Sequence, residues 1–168
     1  MPYTSHRIDK LDRPQQVAFL EVHVPGRIAS IESALRQPAY GDLAVASIFS
    51  RAIANFLGIG VRKGQLSACH DYFIHLPPDS WEVKITDVGG EFVDIDKLSS
   101  ADKSALEDGL NETNKAFAHL TFWNNPSVQN QDGLAVDSYI ESQRDRIRRF
   151  ADTVIRLFRQ QAAHANPT

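Results

Sequence analysis

Apolar residues recur in steps of three and four over much of this chain, and those steps predict a set of amphipathic helices. Val17, Leu20, Val24, Ile28, Ile31 and Leu35 form one stripe, opened by Asp12 as cap with Pro14 in the first turn and closed before Pro38. The stripe keeps its phase across Pro25-Gly26, which favours one helix kinked at Pro25 over two helices in line. A second helix is predicted from Tyr40 to Leu57, with Gly58 as its left-handed stop. It carries Val45, Ile48, Phe49, Ile53, Phe56 and Leu57 among alanines, so it is apolar on most sides and belongs at the centre of a bundle.

Leu66, Cys69, Phe73 and Leu76 suit a short third helix over Gln65 to Leu76, stopped by Pro77-Pro78. The pattern then changes. WEVKI alternates, Gly89-Gly90 follows, and Phe92-Val93-Asp94-Ile95 comes next, which predicts a small β-hairpin insertion around 81–95. A capping sequence at Ser99 to Asp102 opens a helix with core positions Leu106, Leu110, Thr113, Phe117 and Leu120. After a loop through Asn124 to Gly133, Asp137 is expected to cap the last helix. That helix turns Ile140, Ile147, Phe150, Ala151, Val154, Leu157 and Phe158 inward. The expectation is a mainly α, four-helix-bundle-type single domain spanning 1–168, with 1–11 and 163–168 frayed.

Length agrees, since 168 residues is close to one domain of about 150. The single cysteine, Cys69, rules out an intrachain disulfide and points to a reducing, cytoplasmic setting. The most apolar stretch, Leu43 to Gly60, has Arg51 near its middle, which argues against a membrane span. Net charge is only −3, but it is unevenly distributed. Residues 81 to 112 hold nine acidic residues against three lysines, whereas the last helix carries Arg144, Arg146, Arg148, Arg149, Arg156 and Arg159. Three readings stay open. Arg144, Arg148 and Arg149 could form an RNA or partner surface, the two regions could pair between copies, or the arginines could line a solvated face with local pairs.

The fourth helix has a second stripe. With Leu106 at zero, Asn111, Lys115 and His119 fall at roughly 140° to 220°, away from the core positions. A neutral imidazole at His119 can take a proton from a ribose 2′-hydroxyl while Lys115 steadies the phosphate; an ordinary wet helix face fits the same residues.

The string Asn114-Lys115-Ala116-Phe117-Ala118-His119, NKAFAH, resembles the motif of HEPN-type helical domains, particularly the branch linked to abortive-infection proteins, where a helix reads Arg-Asn-Lys-x-x-Ala-His. The resemblance implies a bundle that forms a homodimer, with polar Arg and His residues meeting in an interfacial cleft, and in many members a metal-independent endoribonuclease. Here the sequence departs from the pattern: Thr113 stands where the family has its Arg, and Thr lacks the charge and the bidentate phosphate contact.

His70 and His75, with Asp71, invite a metal reading, but on one helix the two histidines would lie about 140° apart, so no metal site or cofactor is expected. His23 reads as a polar residue at the rim of the core. Two functional classes remain. In one, His119 is a base assisted by Lys115, Asn114 and either Arg51 or Arg149, in an RNA- or nucleotide-directed effector. In the other, a non-catalytic interaction or nucleotide-binding module of a defence or stress system has kept the fold and lost the Arg. The missing Arg favours the second; a metal-dependent bundle enzyme comes third.

Overall fold

The computed structural model describes residues 11–37, 40–70, 82–113 and 133–168, with the backbone alone described for residue 40 and residues 133–142. Asp12 caps α1 (Arg13–Ala18) through a hydrogen bond accepted from the Gln15 amide, and Gln15 returns the contact to the Asp12 amide. The chain then passes through a π turn, Phe19–His23, into α2 (Val24–Ala34) without leaving helical dihedrals at the junctions. Pro25 is the physical reason for that turn. It has no N–H for the Glu21 carbonyl, and its ring crowds that carbonyl. The wider turn just before it, closed by the Val24 amide on the Phe19 carbonyl, absorbs the mismatch. One helical rod results, and Val24, Ile28 and Ile31 stay in phase and buried.

Helix α3 (Tyr40–Phe56) ends at Gly58, whose φ is +80°. A side chain there would also collide with Phe92, since a Cβ would lie 2.4 Å from its ring. The end of α3 is held by groups from elsewhere in the chain. The Val93 amide donates to the Leu57 carbonyl and the Cys69 amide to the Gly58 carbonyl, while Lys84 Nζ donates to the Asn55 carbonyl at 3.0 Å. Lys84 is fully buried, and its charge is met by Glu82 at 2.8 Å. A cation at a helix C-terminus also complements the helix dipole.

The molecule has a small antiparallel hairpin, but not where the alternation placed it. Strand β1 (Ile59–Arg62) pairs with β2 (Gln65–Ala68) through a Lys63-Gly64 turn in which both residues have positive φ. Residues Gln65 to Ala68, expected to be helical, are therefore strand; residues 71–81 lie outside the described residues. Between 82 and 98 there is no strand. Two 3-10 turns, Ile85–Val88 and Ile95–Lys97, punctuate irregular backbone that buries Val83, Ile85, Val88 and Val93. The alternating residues pack on the helices instead of on a neighbouring strand.

Ser99 caps α4 (Ser100–Glu112) by accepting from the Asp102 amide. The last helix, α5 (Gly133–Ala162), spans 30 residues, so Asp137 lies inside it and does not cap it. Helix α3 packs against α2 and α5, and α4 packs on α5. Ile147, Phe150, Ala151, Val154, Leu157 and Phe158 line the inner face of α5. The tail expected to fray returns to the body of the protein. The Asn166 amide donates to the Gly89 carbonyl, and buried Gln16 clasps the Thr168 backbone through both its amide atoms. No helix among the described residues is long and apolar enough to cross a membrane.

Gly109 sets the approach of α4 to α5, because a Cβ there would lie 2.1 Å from Phe150 Cγ. Gly109→Ala should therefore destabilise the protein by about 1–3 kcal/mol from overpacking, although alanine is the better helix former by about 1 kcal/mol. Urea denaturation measures this; an unchanged or raised midpoint would contradict the packing described.

Candidate functional site

Asn114, Lys115 and His119 lie outside the described residues, as do Asp71 and His75. The helix that leads into the motif is described up to Thr113, and Thr113 is fully buried. Its hydroxyl donates to the Gly109 carbonyl at 2.7 Å and contacts Ser47 Oγ of α3 at 2.5 Å. Because the Thr113 proton is engaged by Gly109, the Ser47 hydroxyl is the donor in the second bond. Ser47 and Ser50, one turn apart on α3, are both fully buried, and Ser50 Oγ has no hydrogen-bond partner among the described residues. Gln143 of α5 is buried, and its Oε1 has no hydrogen-bond partner among the described residues. The bundle thus contains buried polar groups just before the motif, on three helices. Thr113 was legible as a core position from its spacing to Leu106 and Leu110; the serine that meets it was not.

The polar stripe of α4 starts at Asn111, and its environment is not open water. Asn111 Nδ2 donates to the Gly64 carbonyl at 2.7 Å, and the Leu66 amide donates to Glu107 at 3.0 Å. The hairpin is fastened to that flank of α4 by these two bonds.

The arginines of α5 separate into three kinds. Arg144 is buried, donating to the Gln37 carbonyl at 2.6 Å, so it is not part of an exposed RNA or partner surface. The signal was present in the sequence, since Arg144 stands seven residues before buried Ala151, on the same face. Arg156 pairs with Asp102 of α4 at 2.5 Å and Arg159 with Glu32 of α2 at 3.3 Å, while Arg146 lies 4.0 Å from Glu112. Arg148 and Arg149 are exposed, next to Asp145 and Asp152 at helical spacing. Much of the charge asymmetry of the sequence is therefore answered within one chain. Surface pairs of this kind contribute little stability, but they do offset the positive potential of α5.

The remaining candidates are accounted for locally. Exposed His23 packs its ring at a tilt on Phe19. His70 stacks flat on Phe92, with ring centres 4.1 Å apart, and Cys69 is half-buried beside Gly60. Among the described residues no three His, Cys, Asp or Glu side chains gather as metal ligands. Asp94 is held below the usual carboxylate range by its hydrogen bond with Lys97, whose own pKa is raised by the same contact, but this is a solvent-exposed pair at a 3-10 turn. Comparison with protein-family models, curated proteins and solved structures finds no match to this chain.

The Ser47–Thr113 pair can be tested by a double-mutant cycle. Thr113→Val strands the Ser47 hydroxyl in the core and should cost about 1–3 kcal/mol, whereas adding Ser47→Ala should recover a large part of that loss. Additive losses in thermal denaturation would show that the two hydroxyls do not act as a pair.

Proposed function

We propose that this chain is a HEPN-like helical module that acts by association, with a second copy of itself as partner, and not by cleaving RNA. The observation that carries the reading is the burial of Thr113. It occupies the position of the family's Arg, and its hydroxyl is engaged by the Gly109 carbonyl and Ser47. A side chain so placed offers no cation to a scissile phosphate, and the remaining motif groups, Asn114, Lys115 and His119, lack the bidentate contact that orients one. The α5 arginines add weight in the same direction. Arg144 is buried and Arg156 and Arg159 are paired, which narrows the exposed basic surface of that helix, among the described residues, to Arg146, Arg148 and Arg149.

The test is incubation of the purified protein with RNA in excess chelator, alongside His119→Ala. We expect no cleavage by either protein. Chelator-resistant cleavage that disappears in His119→Ala would establish the metal-independent endoribonuclease and overturn this reading.

A further inference from the structure

Residues 166–168 are docked on the body of the protein, and among the described residues every hydrogen bond that docks them engages their main chain. The Asn166 amide donates to the Gly89 carbonyl at 2.9 Å. Two residues on, the Thr168 amide donates to Gln16 Oε1 at 2.9 Å, and Gln16 Nε2 donates to the Thr168 carbonyl at 3.3 Å. A residue in an antiparallel ladder exchanges the same two bonds with its neighbour, and alternate residues of an extended chain present them on one edge. The tail sequence suits that edge. In an extended chain the intervening Pro167 faces away, so its missing N–H costs nothing, and its ring biases Asn166 toward extended backbone.

The receiving groups are held in place before the tail arrives. Gln16 of α1 is only 5% exposed, and its Nε2 also donates to the Leu11 carbonyl at 2.7 Å, which fixes the plane of the amide. Gly89, at φ +82°, ends the Ile85–Val88 turn that packs on α1, and a Cβ there would collide with the Asn166 carbonyl. The slot between α1 and that turn therefore admits a main chain because position 89 has no side chain. The occupant is lightly held. Ala163, His164, Asn166 and Thr168 are exposed, and three hydrogen bonds are set against the entropy of ordering the segment. We propose that the slot formed by Gln16 and Gly89 is a recognition site for an extended peptide segment of another protein, with residues 166–168 as the occupant that the partner displaces. Contacts of this kind read the main chain, so the partner needs N–H groups two residues apart on one edge, whatever its side chains. The proposal stands on these contacts and does not depend on the association reading above.

The experiment keeps the full chain and releases the tail by removing its two donors, with Asn166→Pro and Thr168→Pro together; both positions are exposed, and circular dichroism checks that the helices persist. The probes are two fluorescent, amidated peptides: the tail sequence Ala-His-Ala-Asn-Pro-Thr, and Ala-Ser-Ala-Ser-Pro-Ser, which keeps the main-chain groups and changes the side chains. Both should bind the released protein saturably and within about threefold of one another. Wild type should bind them about tenfold or more weakly, because its own tail competes within the chain. Gln16→Leu in the released protein should weaken both peptides about tenfold. Versions of the peptides with proline at the fourth and sixth positions should not bind, a control that leaves the protein unaltered. Binding that is indifferent to those prolines or to Gln16→Leu would place the contact elsewhere and overturn the proposal. Binding of the tail sequence alone would make the slot a clasp for its own tail, and binding of neither peptide would leave no recognition site; each overturns the proposal.

Discussion

Helix α3 carries more apolar surface than its own geometry can hide, and the rest of the bundle is arranged to remove that surface from water. Leu43, Ala46, Ile53, Ala54 and Leu57 are almost fully buried. The rod formed by α1 and α2 covers one side and α5 covers another, with α4 packed on α5 through Gly109 and reaching α3 at Thr113. Burying a leucine or isoleucine side chain stabilises a domain by about 1.5–3 kcal/mol, which makes this helix the natural centre of the fold.

The same helix fixes the chemistry near the motif. Ser47 and Ser50 interrupt its apolar surface on the buried side, and Ser47 is answered by Thr113 at the end of α4. A polar pair enclosed in this way ties the register of α4 to that of α3, because an unmade bond inside the core costs more than the bond itself contributes. Thr113 is therefore committed to holding the bundle together. At the other end of α3, Gly58, Lys84, Cys69 and Val93 close the helix with contacts from distant segments. The hairpin and the irregular stretch before α4 are thereby joined to one point.

Local pattern was a good guide wherever a residue's role depended on its own helix. The Asp12 cap, the Ser99 cap, the left-handed Gly58 and the inner face of α5 all follow from spacing and from residue type. The misplaced hairpin has a specific cause. Leu66 and Cys69 are spaced for a helix, and Lys63-Gly64 lacks the Asn or Asp that usually marks a tight hairpin turn. The alternation after Trp81 is genuine, but it records packing on helices, with Lys84 turned inward by Glu82 and the end of α3. Gln16 gripping Thr168, like Ser47 meeting Thr113, joins positions far apart in the chain, and no periodicity encodes such contacts. Thr113 was legible as a core position from its spacing, and the structure buries it; Asn114, Lys115 and His119 lie outside the described residues.

The most direct test of the proposed reading is to place an arginine at position 113. Thr113→Arg should place an unpaired charge in the core and lower stability by about 3 kcal/mol or more, with no gain of RNA cleavage. A Thr113→Arg protein as stable as the wild type, and newly able to cleave RNA in excess chelator, would show that position 113 faces a working cleft and would contradict the account.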